Sequence, residues 1–182
     1  MSTVIWDGPA AFDPVSVAVL VFVTLQRGAE LVLARRHTQA LMGKGAFEVA
    51  PEHYPLIVAL HGAWLLGLWI LAPTREANLP LLALYAVLQA GRIWVLATLG
   101  ERWTTRIVIL PGAPLVRTGP YRFVSHPNYV IVAAELFLLP LVFGLIAFAL
   151  IFLVLNALVL WVRIRAENNA LAELSRPQSA AP

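Results

Sequence analysis

Long apolar stretches separated by short polar segments dominate this chain. Residues 15–34, 54–72 and 79–99 each form an apolar stretch of about 20 residues, enough for a helix to cross a bilayer. A fourth stretch, 129–162, is too long for one crossing, and Pro140 and Gly144 interrupt it. We therefore predict an all-α polytopic membrane protein with five transmembrane helices. Helices 4 and 5 form a hairpin, and its short first arm is expected to tilt or to pack against protein.

The composition supports a membrane environment. Of the 182 residues, 60% are hydrophobic and only 13% are charged, whereas about a quarter of the residues are charged in soluble domains. The chain contains no cysteine, which excludes disulfides, thiolate nucleophiles and zinc–thiolate sites. We interpret residues 1–182 as one membrane-embedded domain, with the candidate chemistry concentrated in 100–174.

The basic residues are unevenly distributed between the two ends of the predicted bundle. The loop between helices 2 and 3 contains one of them, Arg75, while Arg27 and Arg92 lie inside helices. The other ten follow helix 1, helix 3 or helix 5: Arg35, Arg36, Lys44, Arg102, Arg106, Arg117, Arg122, Arg163, Arg165 and Arg176. Cytoplasmic loops carry such an excess, so we predict an external N-terminus and a cytoplasmic C-terminus in a bacterial inner membrane. The net charge of +3 is then an orientation signal with some anionic-lipid contact, and no nucleic-acid partner is predicted.

Several predicted helices carry polar residues, which are costly in lipid unless they are paired or hydrated. Helix 1 has Gln26, Arg27 and Glu30; helix 3 has Tyr85, Gln89 and Arg92; helix 4 has Glu135 on one face with Asn128; helix 5 has Asn156, Arg163 and Glu167 on one face. We interpret Arg27 with Glu30 as a structural ion pair. Arg163 with Glu167 is either an (i, i+4) pair at the water boundary or part of a functional site.

Two motifs flank the predicted hairpin. GPYRFVSHPNYV precedes helix 4 and RIRAEN lies where helix 5 leaves the membrane, so the hairpin should bring both to one cytoplasmic cavity. Residues predicted to converge there are Tyr121, His126, Asn128, Tyr129, Arg163 and Glu167. Glu48, Glu52 and His53 resemble metal ligands by type, but an interfacial role at the start of helix 2 is favoured and no metal is predicted. Nucleotide-binding motifs of the GxGxxG and GxxxxGK types are missing from the sequence.

The segment PLVRTGPYRFVSHPNY followed by RIRAEN resembles the isoprenylcysteine carboxyl methyltransferase family of membrane enzymes. QRGAELVLARRH and EVAPEHYPLIVALHGAW are similar to a bacterial branch linked to the methylation of phenolic lipids. The resemblance implies S-adenosylmethionine as cofactor and an acceptor-facing, catalytic role for Arg163, with Glu167 also catalytic. It implies cofactor contacts at Pro114, Leu115, Val116, Tyr121, His126, Pro127, Asn128, Tyr129 and Glu167.

The sequence departs from the family pattern in two places. Glu167-Asn168 stands where the family usually has two glutamates, and the chain ends in SRPQSAAP, from which we expect a shorter lid over the cofactor. The expected activity is methyl transfer to an oxygen of a lipophilic or lipidated acceptor from the bilayer, either a carboxylate or a phenol. Methylation of a phospholipid amine, and a non-catalytic transporter or lipid-binding protein lined by Gln89, Arg92 and Glu135, are the alternatives.

Overall fold

The computed structural model describes residues 11–175, which fold as five α-helices with short connections. The helices are α1 (Pro14–Gly43), α2 (Tyr54–Leu71), α3 (Leu79–Leu99), α4 (Pro127–Val142) and α5 (Ile146–Ser175). Single 3-10 turns cover Pro51–His53, Gly100–Arg102 and Gly119–Arg122. Two-residue strands β1 (Phe47–Glu48) and β2 (Val108–Ile109) pair antiparallel, with Phe47 opposite Ile109. The predicted all-α membrane fold is confirmed. Strand β2 consists of the β-branched residues Val108 and Ile109, a residue type that favours strands.

Four described segments are long and apolar enough to cross a bilayer: Pro14–Gly43, Pro51–Leu71, Leu79–Arg102 and Ile146–Asn168. The remaining predicted transmembrane helix is α4, which has 16 residues. At about 1.5 Å per residue it is shorter than the thickness of the hydrocarbon layer. It packs between α3 and α5, and Glu135, Leu136, Leu139 and Val142 are almost fully buried. The short arm of the hairpin therefore lies largely against protein, as its length predicted.

Two helices extend beyond the predicted apolar stretches. Helix α1 continues through RRHTQALMG to Gly43, and α5 continues to Ser175. Arginine, glutamine and alanine are good helix formers in water, so a helix need not end where its apolar stretch ends. The helical course of α5 as far as Glu167 was predicted, but Arg35 and Arg36 were wrongly placed after helix 1, since they lie within α1.

The α4–α5 turn is where Pro140 and Gly144 predicted it. Helix α4 ends at Val142, two residues after Pro140, and Gly144 adopts φ +69°. The Leu145 N–H returns to the Pro140 carbonyl at 2.9 Å. Glycine adopts this left-handed conformation without steric cost. The tight turn therefore places the N-terminal end of α4 and the C-terminal end of α5 side by side.

A buried polar network joins α1, α3 and α4 within the bundle. Arg92 contacts both carboxylate oxygens of Glu30 and one of Glu135, each at 2.5 Å. Arg27 contacts Glu135 at 2.7 Å and Glu30 at 3.1 Å. Gln89 donates to Glu135 at 2.8 Å. The structure contains the predicted Arg27–Glu30 pair, but as one edge of a four-charge network with no net charge, in which each carboxylate contacts both arginines.

Candidate functional site

A cavity of about 750 Å³ lies at the end of the bundle that carries most of the basic residues, which we call the basic end. The loop between α3 and α4, the start of α4 and the C-terminal half of α5 surround it. Its lining includes ten residues from the two motifs and the preceding loop: Pro114, Leu115, Val116, Tyr121, His126, Asn128, Tyr129, Arg163, Glu167 and Asn168. The hairpin thus brings together the residues that the sequence placed at one site.

Pro127 is the one predicted cofactor-contact residue that does not line this cavity. It is buried as the first residue of α4. Proline suits that position because its fixed φ is helical and the first helical N–H has no partner within the helix. Its position indicates that it starts the helix that carries Asn128 and Tyr129.

A chain of hydrogen bonds links α4 to α5 across the cavity wall. Arg163 Nε donates to the Tyr129 hydroxyl at 2.9 Å, and that hydroxyl donates to Glu167 Oε2 at 2.7 Å. Arg163 is buried, while the side chain of Glu167 keeps 27% of its surface exposed. Tyr129 therefore bridges Arg163 and Glu167, which are four residues apart on α5. Arg163 lies about one helical turn further from the C-terminal end of α5 than Glu167 does.

His126 and Tyr121 complete the polar wall near Glu167. The His126 ring stacks on Tyr129 with centroids 5.3 Å apart and an interplanar angle of 12°. Its Nδ1 lies 3.9 Å from Glu167 Oε2, too far for a direct hydrogen bond. Burial, and then the charge of Glu167, raises the pKa of Tyr121 to about 12. The Tyr121 hydroxyl therefore stays protonated at neutral pH and can donate a hydrogen bond.

Sequence reasoning missed several residues that build this wall. Arg163 Nη2 donates to the backbone carbonyl of Thr105 at 2.8 Å, a contact that no side-chain pattern reveals. The Trp103 indole points to Asn128 Oδ1 at 3.4 Å, and the Trp103 carbonyl contacts His37 Nδ1 at 2.8 Å. The one sequence feature that could have indicated these contacts is Trp103, a large aromatic residue in a polar loop. When such a residue is buried, its indole N–H usually needs a hydrogen-bond partner.

Arg106 also lines the cavity, although the sequence suggested for it only an orientation role. Its Nη1 lies 2.8 Å from both oxygens of Glu48, and its guanidinium lies 4.2 Å from the Tyr54 ring centroid. Glu48 belongs to β1, which pairs with β2, so this ion pair helps to hold the loop between α3 and α4 against the connection between α1 and α2. Glu52 and His53, 3.9 Å apart, lie in the 3-10 turn that precedes α2, and their interfacial role stays a prediction.

The C-terminal departure from the family pattern is only partly visible. Asn168 lines the cavity at the position after Glu167. Residues 176–182, which include most of SRPQSAAP, lie outside the described residues. The expectation of a shorter lid therefore stays a prediction.

Comparison with known proteins identifies the class. Residues 81–173 match the isoprenylcysteine carboxyl methyltransferase (ICMT) family, and this range contains both motifs and most of the cavity wall. The chain belongs to this family, and with its apolar helices it is a membrane methyltransferase.

Two relatives are similar over most of their length. The uncharacterized protein YpbQ of Bacillus subtilis is 38% identical over 162 residues, covering 86% of this chain and 96% of YpbQ. An uncharacterized protein of Haemophilus influenzae is 31% identical over 160 residues, covering 79% of this chain and 87% of the relative. No solved structure matches the chain.

Proposed function

We propose that this protein transfers a methyl group from S-adenosylmethionine to an oxygen of a lipophilic acceptor that enters from the bilayer. The observation that carries the proposal is the Arg163–Tyr129–Glu167 chain at the wall of a cavity at the basic end. The same cavity includes all but one of the residues that the family resemblance associates with the cofactor. The uneven basic charge supports a cytoplasmic cavity in a bacterial inner membrane.

The residues at the cavity fit the chemical groups of the cofactor. S-adenosylmethionine would supply a methyl group on a positively charged sulfur. Glu167 offers a carboxylate for an ammonium group or ribose hydroxyls, Tyr121 offers a hydroxyl donor, and Leu115 and Val116 offer apolar surface for an adenine ring. The cavity volume of about 750 Å³ lies within the usual range for small-molecule sites, about 300–1,000 Å³.

The position of Arg163 favours an oxygen acceptor over an amine. Its buried guanidinium would attract a carboxylate or a phenolate and repel an ammonium group. A carboxylate acceptor is already ionised at neutral pH, so the protein need only hold it in line. A phenol has an ordinary pKa near 10, and Glu167 or His126 would then serve as base.

The internal contacts of the buried network argue against a transport pathway. Gln89, Arg92 and Glu135, which a transporter would use to bind cargo, bind one another and Glu30 in the described structure. Such mutual pairing supports a structural role for these residues.

Calorimetric titration of detergent-purified protein with S-adenosylmethionine tests the cofactor. Wild-type protein should bind it, and Glu167→Gln and His126→Ala should each weaken binding by about 1–3 kcal/mol, since the first removes the negative charge of a hydrogen-bond acceptor and the second removes the imidazole ring. Arg163→Leu should nearly retain cofactor binding and mainly lower turnover or raise the acceptor KM.

Arg165→Leu is the matched control, because Arg165 lies on the same helix but does not line the cavity. Its guanidinium carbon instead lies 3.8 Å from the centroid of the Trp161 ring. It should bind cofactor and turn over like wild type. Loss of cofactor binding in Arg163→Leu alone would reverse the assignment, and failure of wild type to bind S-adenosylmethionine would refute the proposal.

The acceptor can be identified from lipid extracts labelled with a radioactive methyl group. Mild alkali releases methanol from a methyl ester but leaves a phenolic ether or an N-methyl group intact. Label that is alkali-stable and retained on an amine would overturn the oxygen assignment.

A further inference from the structure

The loop before α4 presents a mixed apolar and cationic surface at the mouth of the cavity. We call it the rim patch, made of Leu115, Arg117, Arg122, Phe123 and Val124. Phe123 is 75% exposed, Leu115 63% and Val124 45%. Large apolar side chains so exposed in a polar loop are costly in water and favourable against a membrane surface.

Contacts with α3 fix the height of this patch along the bundle. Gly119, at φ +54°, lies so close to α3 that a β carbon would stand 2.6 Å from Thr98 Oγ1 and 3.3 Å from Trp94 Nε1. Thr98 and Trp94 belong to the last two turns of α3, and Trp94 is 51% exposed. Half-exposed tryptophans near the end of a spanning helix typically lie at the headgroup level.

The apolar part of the rim patch is also close in sequence to an exposed apolar residue at the start of α4. Val124 lies three residues before the first residue of that helix, and Val130 in its first turn is 55% exposed. Together with the level of Trp94, this is the position expected of a surface near the boundary between hydrocarbon and water.

The two arginines of the patch differ from Arg106 and Lys44 at the same end, which are both ion-paired. Arg106 is held by Glu48, and Lys44 lies 2.5 Å from Glu101. Among the side chains that the structure describes, no carboxylate lies within ion-pair distance of Arg117 or Arg122. Arg122 instead lies 5.9 Å from the Phe123 ring centroid. Both arginines are exposed and both line the cavity.

We propose that the rim patch binds the headgroup of an anionic phospholipid beside the cavity mouth. Arg117 and Arg122 would hold the phosphate by charge-assisted hydrogen bonds, while Phe123 and Val124 insert among the upper acyl chains. The bound lipid would anchor the loop that carries Tyr121 and His126. This inference does not depend on the identity of the cofactor or the acceptor.

Lipid selectivity in nanodiscs tests the proposal without using catalysis. Spin-labelled phosphatidylglycerol should associate with the protein in phosphatidylcholine nanodiscs more strongly than spin-labelled phosphatidylcholine does. Arg117→Gln with Arg122→Gln should weaken that preference by about five-fold for each arginine, whereas lysine at both positions should retain most of it.

The matched control removes the same charge from exposed positions on α1, as Arg35→Gln with Arg36→Gln. An equal loss of selectivity in this control would overturn the rim patch as the binding site. So would a loss of S-adenosylmethionine binding in pure phosphatidylcholine for the Arg117/Arg122 variant, because the arginines would then belong to the cofactor site.

Depth measurement provides a second, independent readout. The chain has no cysteine, so Val124→Cys gives a single attachment site for a nitroxide. In vesicles containing phosphatidylglycerol the label should be accessible to oxygen and protected from a water-soluble nickel reagent. Full accessibility to the nickel reagent would refute insertion.

Discussion

At the residue scale, one proline explains why a distant tryptophan donates a hydrogen bond to the backbone of α4. Pro140 has no backbone N–H, so the Leu136 carbonyl one turn earlier in α4 loses its usual donor. The Trp64 indole of α2 donates to that carbonyl at 3.1 Å, and both residues are almost fully buried. An unpaired carbonyl at this depth would be costly, so Trp64 satisfies the group that Pro140 leaves free.

Trp64→Phe should therefore destabilise the protein by about 1–3 kcal/mol through the orphaned carbonyl, beyond the lost packing. In a Pro140→Ala background the cost should be smaller, because the alanine introduced there supplies the helical N–H. A double-mutant cycle measured by unfolding in mixed detergent micelles checks the coupling. Trp69→Phe is the control, since Trp69 donates instead to Thr24 at 2.9 Å. Equal costs of Trp64→Phe in both backgrounds would contradict this account.

The sequence predicted the effect of Pro140 on the chain but not its partner. A proline followed by Gly144 in an overlong apolar stretch indicated a break, and α4 ends two residues after Pro140. The contact with Trp64 joins positions 72 residues apart. Local pattern cannot reveal it, because several tryptophans in apolar stretches could serve equally well.

At the element scale, local sequence pattern likewise could not show which polar faces of the helices contact one another. Helical spacing found the polar faces of α1 and α3 and paired Arg27 with Glu30 correctly, since those residues are neighbours on one helix. Spacing could not show that both faces meet Glu135 of α4 in one network. That requires the relative rotation of three helices, which depends on packing across the whole bundle.

The network makes a prediction about charge balance. Arg27→Leu with Glu30→Leu removes one charge of each sign and leaves Arg92 with Glu135, at 2.5 Å. Glu135→Leu leaves two buried arginines facing one carboxylate. Removing one partner of a buried pair typically costs about 3–5 kcal/mol, and balanced replacement by apolar residues is much less costly.

Unfolding in detergent should therefore rank the Glu135→Leu variant as the less stable of the two. The balanced variant should keep cofactor affinity and activity near wild type if Arg27 and Glu30 are structural. Loss of activity in a folded balanced variant would instead place α1 at the acceptor site.

At the scale of the whole molecule, the sequence predicted the place of the candidate site because topology alone brings its parts together. A hairpin with both motifs at its open ends can only juxtapose them, and Tyr129, Arg163 and Glu167 are hydrogen-bonded there. The wall formed by Trp103, Thr105 and Arg106 escaped prediction. It depends on the backbone course of an irregular loop, which has no periodicity to interpret.

Orientation in the membrane is the remaining prediction at this scale. The basic end contains the cavity and ten of the 13 Lys and Arg residues of the sequence, while the opposite α2–α3 loop has only Arg75. Because positively charged loops are retained in the cytoplasm, the cavity should face the pool of water-soluble cofactor.

Single cysteines at exposed positions test this orientation in the otherwise cysteine-free chain: Glu76→Cys in the α2–α3 loop and Gln39→Cys near the basic end of α1. A membrane-impermeant maleimide should label Glu76→Cys in cells whose inner membrane is intact, and Gln39→Cys only after that membrane is opened. Denatured samples control for the reactivity of each thiol. The opposite labelling pattern would place the cavity outside the cytoplasm and remove the cytoplasmic supply of S-adenosylmethionine on which the proposed reaction depends.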